Sequence, residues 1–351
     1  MTAGRGLLLQ EILSGRRRGL FPSILRAGLA PLGVAYGACA ALRRGLYRHR
    51  WLKSCRLTGP VVSIGNLTAG GTGKTPLVYW ATQHLLARGH RVAILARGYG
   101  PQVGGEADDE RIPPELAPFK VKRFNHPDRR IAGTEAFGEF GASCAILDDG
   151  FQHLRVRREM DVVCVDATAP LGLPLPAGLL REFPGTLARA DHLVLTRVDQ
   201  ATPEALAALK RRLAWKATGV PIAETRVRPI GLVLGEATLP PEEVRGTRVV
   251  AFSGIGNPEA FERTLAQVGV DVAESVRFPD HHPYTAKELA DLARRRDRAG
   301  AAMLVTTRKD AFRMAAPPPD LGVLVVGIEF VSGEEALAEA ITYAVEQKPL
   351  A

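Results

Sequence analysis

The chain has 351 residues, 46% of them hydrophobic and 24% charged, which excludes disorder, collagen and coiled coil as whole-chain descriptions. Its net charge of +9 is unevenly placed: residues 1–105 hold 15 basic residues against one acid, Glu11, for +14, and residues 106–351 hold 31 against 36, for −5. A basic front on a slightly acidic body points to an anionic surface or ligand near the N-terminus. Four cysteines (Cys39, Cys55, Cys144, Cys164) stand far apart with no CxxC pair, which argues against a disulfide scaffold or cysteine zinc site and fits a reducing compartment.

The first predicted element is the uncharged run of 16 residues at 27–42, AGLAPLGVAYGACAAL. Arg16–Arg18 and Arg26 precede it; Arg43, Arg44, Arg48 and Arg50 follow. It is shorter than the roughly 20 apolar residues of a spanning helix, contains Pro31, and lies too late for a signal peptide. It reads as a segment lying in a membrane interface, apolar face in lipid and arginines on anionic headgroups. The competing reading is an ordinary first helix of a soluble core.

Short β-branched runs then alternate with helical stretches. Strands are predicted at 60–64, 91–95, 144–148, 161–166, 191–196, 248–253, 302–307 and 322–328, and helices at 75–88, 129–140, 201–216, 258–268, 285–298 and 334–347. Continuous apolar strands between helices predict buried parallel sheets in an α/β fold. The expected organisation is a basic, apolar membrane-interface segment over 1–54, a nucleotide-binding α/β domain over 55–220, a Pro/Gly-rich linker with two short strand-like pieces over 221–247, and a C-terminal α/β domain over 248–351. Residues 98–119 form a Gly/Pro/acid-rich loop longer than a usual βα connection, of the kind that is often functional.

After the strand PVVSI comes GNLTAGGTGKTP and a helix near Pro76. A glycine-rich turn between a strand and a helix N-terminus directs backbone N–H groups at a phosphate. The segment Thr68, Ala69, Gly70, Gly71, Thr72, Gly73, Lys74, Thr75 is the candidate cradle for ATP. Lys74 would reach the β/γ-phosphates and Thr75 would ligate Mg²⁺. The GxxxxGK[ST] form fails because position 68 is Thr, but the tighter GGxGK[ST] form matches. Such a loop needs a carboxylate at a neighbouring strand end to hold the metal, and CAILDDGFQH supplies Asp148 and Asp149. His153 alone reads as structural. Arg181 and Glu182, in LPAGLLREFPG, fit a surface ion pair as well as service to phosphate and metal. In FPDHHPYT, Asp280 beside His281 could orient a catalytic imidazole. Thr307, Lys309 and Asp310, in VTTRKDAFR, stand at a strand C-terminal edge suited to nucleotide contacts.

GNLTAGGTGKTP, ARGYG, ILDDGFQH, LPAGLLRE, FPDHHPYT and VTTRKD, in this order and together with PLGVAY, resemble the tetraacyldisaccharide 4′-kinases of Gram-negative bacteria over residues 28 to 315 or so. That resemblance implies a membrane-associated P-loop kinase of two α/β/α sandwich domains joined by a short two-stranded link, with the active site in the cleft between them. The implied reaction moves the γ-phosphate of ATP to the 4′-hydroxyl of a tetraacylated disaccharide 1-phosphate, making lipid IVA. It places the loop residues on Lys74 and Thr75, the metal-side carboxylates on Asp148 and Asp149, and supporting residues on Tyr99, His153 and Arg181, with Glu182 on the metal. The family's base is the aspartate of a Gly-Asp-Glu-Pro motif, assisted by the histidine that falls on His281. This chain reads EADDERI there; counting back from FKVKRF puts the base on Asp109, with Asp108 as the alternative. The implied partners are ATP, Mg²⁺, the lipid disaccharide and the anionic inner-membrane surface on its cytoplasmic face, with the protein peripheral or monotopic; nucleic acid is not among them.

Two rivals remain. A nucleotide-dependent ATPase switch usually carries Lys before the first glycine of the loop, where this chain has Ala69. A soluble-metabolite kinase or ligase does not account for the basic, apolar N-terminal segment.

Overall fold

The computed structural model describes residues 12–13, 15, 17, 19–98, 120–169 and 171–347. Tyr99, Asp108, Asp109 and nearly all of the 98–119 loop lie outside the described residues.

The chain divides into two compact units. The larger comprises residues 11–99, 111–226 and 330–351. Its strands β1 (Val61–Asn66), β2 (Val92–Ala96), β3 (Val121–Asn125), β4 (Cys144–Asp148), β5 (Met160–Asp166) and β6 (His192–Thr196) lie in the order β6-β5-β1-β4-β2-β3. Every neighbouring pair among them is parallel. β1, β2, β4, β5 and β6 are buried along their whole length, the burial expected of strands covered on both faces. Helices α1 (Leu20–Arg48), α2 (Lys74–Ala87), α3 (Arg129–Gly138) and α4 (Pro203–Lys216) belong to this unit. The chain leaves β1 past β4 to β2, and later returns to β5 on the other side of β1. The C-terminal end of β1 is therefore a topological switch point, where open α/β sheets bind ligands.

The smaller unit holds residues 227–329. β9 (Arg248–Ser253) lies between β10 (Asp271–Arg277) and β11 (Met303–Thr307), and β11 pairs in parallel with β12 (Leu321–Ser332). Successive residues of β9 serve opposite faces. Val249 and Ala251 pack with Phe261, Leu265 and Val268 of α5 (Pro258–Val268). Val250 and Phe252 pack with Leu292 of α6 (Ala286–Arg298). This alternation makes a helix–sheet–helix sandwich. A reciprocal Thr285–Glu288 capping box starts α6.

Two boundaries differ from expectation. The two strand-like pieces predicted in 221–247 are one long strand, β7 (Ile222–Leu234), followed by the short antiparallel β8 (Ala237–Leu239). β12 also runs past residue 328 to Ser332. The chain thus crosses between the units twice, along the adjacent strands β7 and β12. The final helix α7 (Glu334–Glu346) belongs to the larger unit rather than to a domain spanning 248–351. Its stripe of Leu337, Ile341 and Val345 is buried, and it packs on α2 and β1. Trp80 Nε1 donates to Glu334 Oε1 at 3.0 Å, and His84 lies 2.9 Å from Thr342 Oγ1.

Candidate active site

β1 ends in the glycine-rich loop. Gly70 and Gly73 have φ of 120° and 77°, a left-handed conformation that residues with a Cβ rarely adopt. Gly73 is the N-cap of α2 and makes no side-chain cap. Asn66 shapes the loop from within: its Nδ2 donates to Thr68 O at 2.7 Å and to Thr72 Oγ1 at 2.8 Å. Thr196, at the end of β6, donates to Thr72 O at 2.8 Å. Arg197 donates to Gly71 O at 3.0 Å and pairs with Asp166.

Lys74 opens α2, and its Nζ lies 3.2 Å from Asp149 Oδ1. Arg181 donates to the other oxygen, Asp149 Oδ2, at 2.7 Å. Asp149 itself sits at φ 54°, a turn that a short polar side chain tolerates. Burial raises its pKa, but the Lys74 ammonium and Arg181 guanidinium outweigh that and hold the carboxyl below the usual carboxylate range. Asp148 is bound instead by Arg123 of β3 at 3.1 Å. His153 is half-buried; burial first, then the charge of Arg129, push its pKa down to about 4. Gln152 donates to Asn66 O at 2.9 Å, tying this turn to the end of β1.

The LPAGLLRE segment straps the loop in place. Ala69 N donates to Leu179 O at 2.7 Å, and Arg181 N to Leu67 O at 2.8 Å. The same segment receives α1. Gly33 and Gly37 face it four residues apart, one helical turn. A Cβ on Gly33 would come within 2.8 Å of Pro174 O, and one on Gly37 within 2.6 Å of the Phe183 ring. Arg44 of α1 donates to Glu182 Oε2 at 2.7 Å and to Thr186 Oγ1 at 2.8 Å. Leu20, Phe21, Ile24, Leu32 and Leu42 of α1 are exposed.

In the smaller unit, His281 occupies a left-handed position, φ 61°, with its N–H donating to Gly254 O at 3.1 Å. Asp280 Oδ1 is 4.0 Å from His281 Nε2, and Arg313 lies 3.2 Å from Nδ1. His282 turns the other way, stacking on Phe278 and meeting Glu288 Oε1 at 3.0 Å. The two adjacent imidazoles thus face different groups. Asp310 is fully buried beneath Arg313.

A family model described as tetraacyldisaccharide-1-P 4′-kinase matches residues 25–346. The tetraacyldisaccharide 4′-kinase of Anaeromyxobacter sp. (strain Fw109-5) is 42% identical over 341 residues, covering 89% of this chain and 91% of that one. The chain belongs to the tetraacyldisaccharide 4′-kinase family. The enzyme of that name from Geobacter metallireducens is 38% identical, over 87% of this chain and 93% of that one. A crystal structure of LpxK from Aquifex aeolicus in complex with ATP superposes with a TM-score of 0.67 at 28% identity, covering 92% of this chain and 99% of that one. The chain is accordingly an ATP-dependent kinase of lipid A biosynthesis.

Within this kinase the structure gathers Lys74, Asp149 and Arg181. It places His281 with Asp280 in the other unit. Two expectations need correction. The Ala69 N–H is committed to Leu179 and Thr68 bridges to Leu180, so these two turn their backbone to the strap rather than to phosphate. Glu182 is buried with its carboxylate on Arg44 and, at 3.8 Å, on Arg189, just as Asp148 is held by Arg123 and Asp149 by Lys74 and Arg181. Asp310 is buried under Arg313 and hydrogen-bonded to Gly254 N and Thr307, so it buttresses the His281 turn instead of meeting nucleotide. Sequence reading missed Asn66, Arg123, Thr196, Arg197 and Arg313. Each lies outside the motif it supports or performs a role that its motif does not announce.

Proposed function

We propose that the chain transfers the γ-phosphate of ATP to the 4′-hydroxyl of a tetraacyldisaccharide 1-phosphate at a membrane surface, with Lys74, Asp149, Arg181 and His281 in the machinery. The observation that carries this reading is the Lys74–Asp149–Arg181 cluster at the mouth of the glycine-rich loop. Phosphoryl transfer demands positioning and charge neutralisation more than covalent chemistry. Amides of Gly70–Thr75 and the Lys74 ammonium would hold the β- and γ-phosphates. In this structure Asp149 holds Lys74 and Arg181 beside the loop; arriving phosphate oxygens would compete for both cations.

The donor set fits a magnesium ion. Thr75 at the start of α2 and the carboxylates of Asp149 and Asp148 are hard oxygen ligands, and the environment of Asp149 keeps it ionised. Glu182 is a further proposed member of the set; like Asp148 and Asp149 it is held by cations in this structure. Bound magnesium would neutralise charge on the triphosphate. Asp109 is the proposed acceptor of the sugar hydroxyl proton, with Asp108 as the alternative, and His281 supports it. Tyr99 is proposed as a substrate-side residue. His153, hydrogen-bonded through its backbone to Gly150 at 2.7 Å, braces the Asp148–Asp149 turn.

The proposed location is the cytoplasmic face of the inner membrane, with α1 lying in the interface. By length and composition α1 passes as a membrane-crossing helix, with 11% of its most apolar window buried. Pro31 and the docking of Gly33 and Gly37 favour a helix held flat against its own protein, apolar side outward. Of the ten cations between Arg16 and Arg56, Arg44 is taken by Glu182; the others would meet anionic headgroups, each worth about 1 kcal/mol near such a surface.

The test is incubation of purified full-length protein with γ-labelled ATP, Mg²⁺ and tetraacyldisaccharide 1-phosphate in detergent. Label in the lipid is expected. ATP hydrolysis that rises with protein concentration and leaves the lipid unlabelled would favour the ATPase-switch reading.

A further inference from the structure

His281 is held by a residue outside its own motif. Arg313 donates through one terminal nitrogen to Gly254 O at 2.9 Å and to Asp310 Oδ1 at 3.2 Å. Its other terminal nitrogen lies 3.2 Å from His281 Nδ1. Gly254 O also accepts the backbone N–H of His281, so the guanidinium clasps both the main-chain anchor and the ring of the same residue. Arg313 is itself fixed. Its side chain is 7% exposed and Asp310 is fully buried. Asp310 further accepts from Thr307 Oγ1 at 2.7 Å and from Gly254 N at 3.1 Å. The chain Thr307–Asp310–Arg313–His281 links the VTTRKDAFR motif to the histidine of FPDHHPYT.

Guanidinium has only donors. A donor pointing at Nδ1 requires a lone pair there, which puts the ring hydrogen on Nε2. Asp280, the residue expected to orient the ring, is 4.0 Å away on the Nε2 side, beyond hydrogen-bond length.

We infer that Arg313 is a positioning residue for the kinase reaction: it fixes His281 as the Nε2–H tautomer, so that the imidazole presents a hydrogen-bond donor, and not a lone pair, at Nε2. This rests on the proposed role of His281 beside the base. In that role the N–H steadies the group that takes the sugar hydroxyl proton; the imidazole does not take that proton itself. The DHH sequence points to an acid, Asp280, behind the histidine. The structure puts an arginine there, and an arginine behind Nδ1 selects the opposite tautomer.

The test is long-range ¹H–¹⁵N correlation of the imidazoles in full-length, ¹⁵N-labelled protein in detergent, with His281 assigned by comparison with His281→Ala. The expected wild-type pattern has Nδ1 unprotonated and Nε2 protonated. A wild-type His281 protonated at Nδ1 overturns the inference with no variant needed. In Arg313→Lys the ammonium can still pair with Asp310 but cannot span Gly254, Asp310 and the ring together. That variant should show a mixed tautomer and a kcat about tenfold lower, the scale of losing an orienting partner. It should cost nothing further in the His281→Ala background. An unchanged ring signature in Arg313→Lys, or an equal loss of kcat with and without His281, would make Arg313 merely structural. Normal turnover in His281→Ala would fail the proposed role of His281 while leaving the tautomer measurement decisive for Arg313.

Discussion

The two units build their sites by opposite means. In the larger unit the proposed phosphate loop sits on contiguous chain: strand, glycine-rich loop and Lys74 follow one another, and Asp149, which meets Lys74, follows the end of the adjacent strand. Local backbone geometry does most of the positioning there. In the smaller unit the proposed functional side chain, His281, sits on a left-handed turn held by Gly254 and Arg313, which are 59 residues apart, with Asp310 behind Arg313. A site built on backbone can be read as a motif. A site built on side-chain bracing shows its central residue and hides its supports.

The strongest blow to this comparison is Lys74→Ala. It removes the cation facing the phosphates and leaves Asp149 to Arg181, so kcat in the lipid-labelling assay should fall about 10²–10³-fold, the scale of losing one preorganised electrostatic donor. An unaffected rate would sink the phosphate-loop assignment. His281→Ala and Asp109→Ala should each cost about 10²-fold in kcat, as for lost acid–base groups. Near-normal turnover in Asp109→Ala would move the base to Asp108.

Packing sharpens the contrast within the nucleotide-binding unit. Gly33→Val places side-chain atoms against Pro174 O and Ala177. We expect about 1–3 kcal/mol of overpacking strain, read as a lower thermal unfolding midpoint, together with weaker flotation on anionic vesicles as α1 loses its seat. Unchanged stability would mean that α1 does not depend on the LPAGLLRE segment.

The smallest expected effect concerns His153. Its folded pKa, about 4, lies below the ordinary value of roughly 6.5. Between these values the unfolded chain binds a proton that the folded chain does not, so stability falls as pH drops from about 6.5 toward 4. In His153→Gln the fall in unfolding midpoint between pH 7 and pH 5 should be shallower than in wild type. An identical fall would show that the imidazole is not buried as described.

The alternation of apolar runs placed eight strands and six helices within a few residues of where they form, because a strand covered on both faces must be apolar throughout. It did not resolve β10, whose residues DVAESVR are only half-buried beside β9. The strand–glycine loop–helix turn was legible for a related reason: a turn of positive φ needs glycine, and that constraint acts on contiguous residues; the DDG at the end of β4 was legible as a strand end, while its meeting with Lys74 came from the pairing of β1 with β4. Membership of the kinase family followed from the order of such motifs. Tertiary structure alone decided the rest. It returned α7 to the nucleotide-binding unit, since an amphipathic stripe states that a helix packs but not on what. It gave Glu182 to Arg44, 138 residues away, and put Arg313 behind His281. An arginine's reach is long and its donors suit any acceptor, so its partner is settled by where the fold leaves an unpaired carbonyl, carboxylate or ring nitrogen, and no spacing along the chain records that.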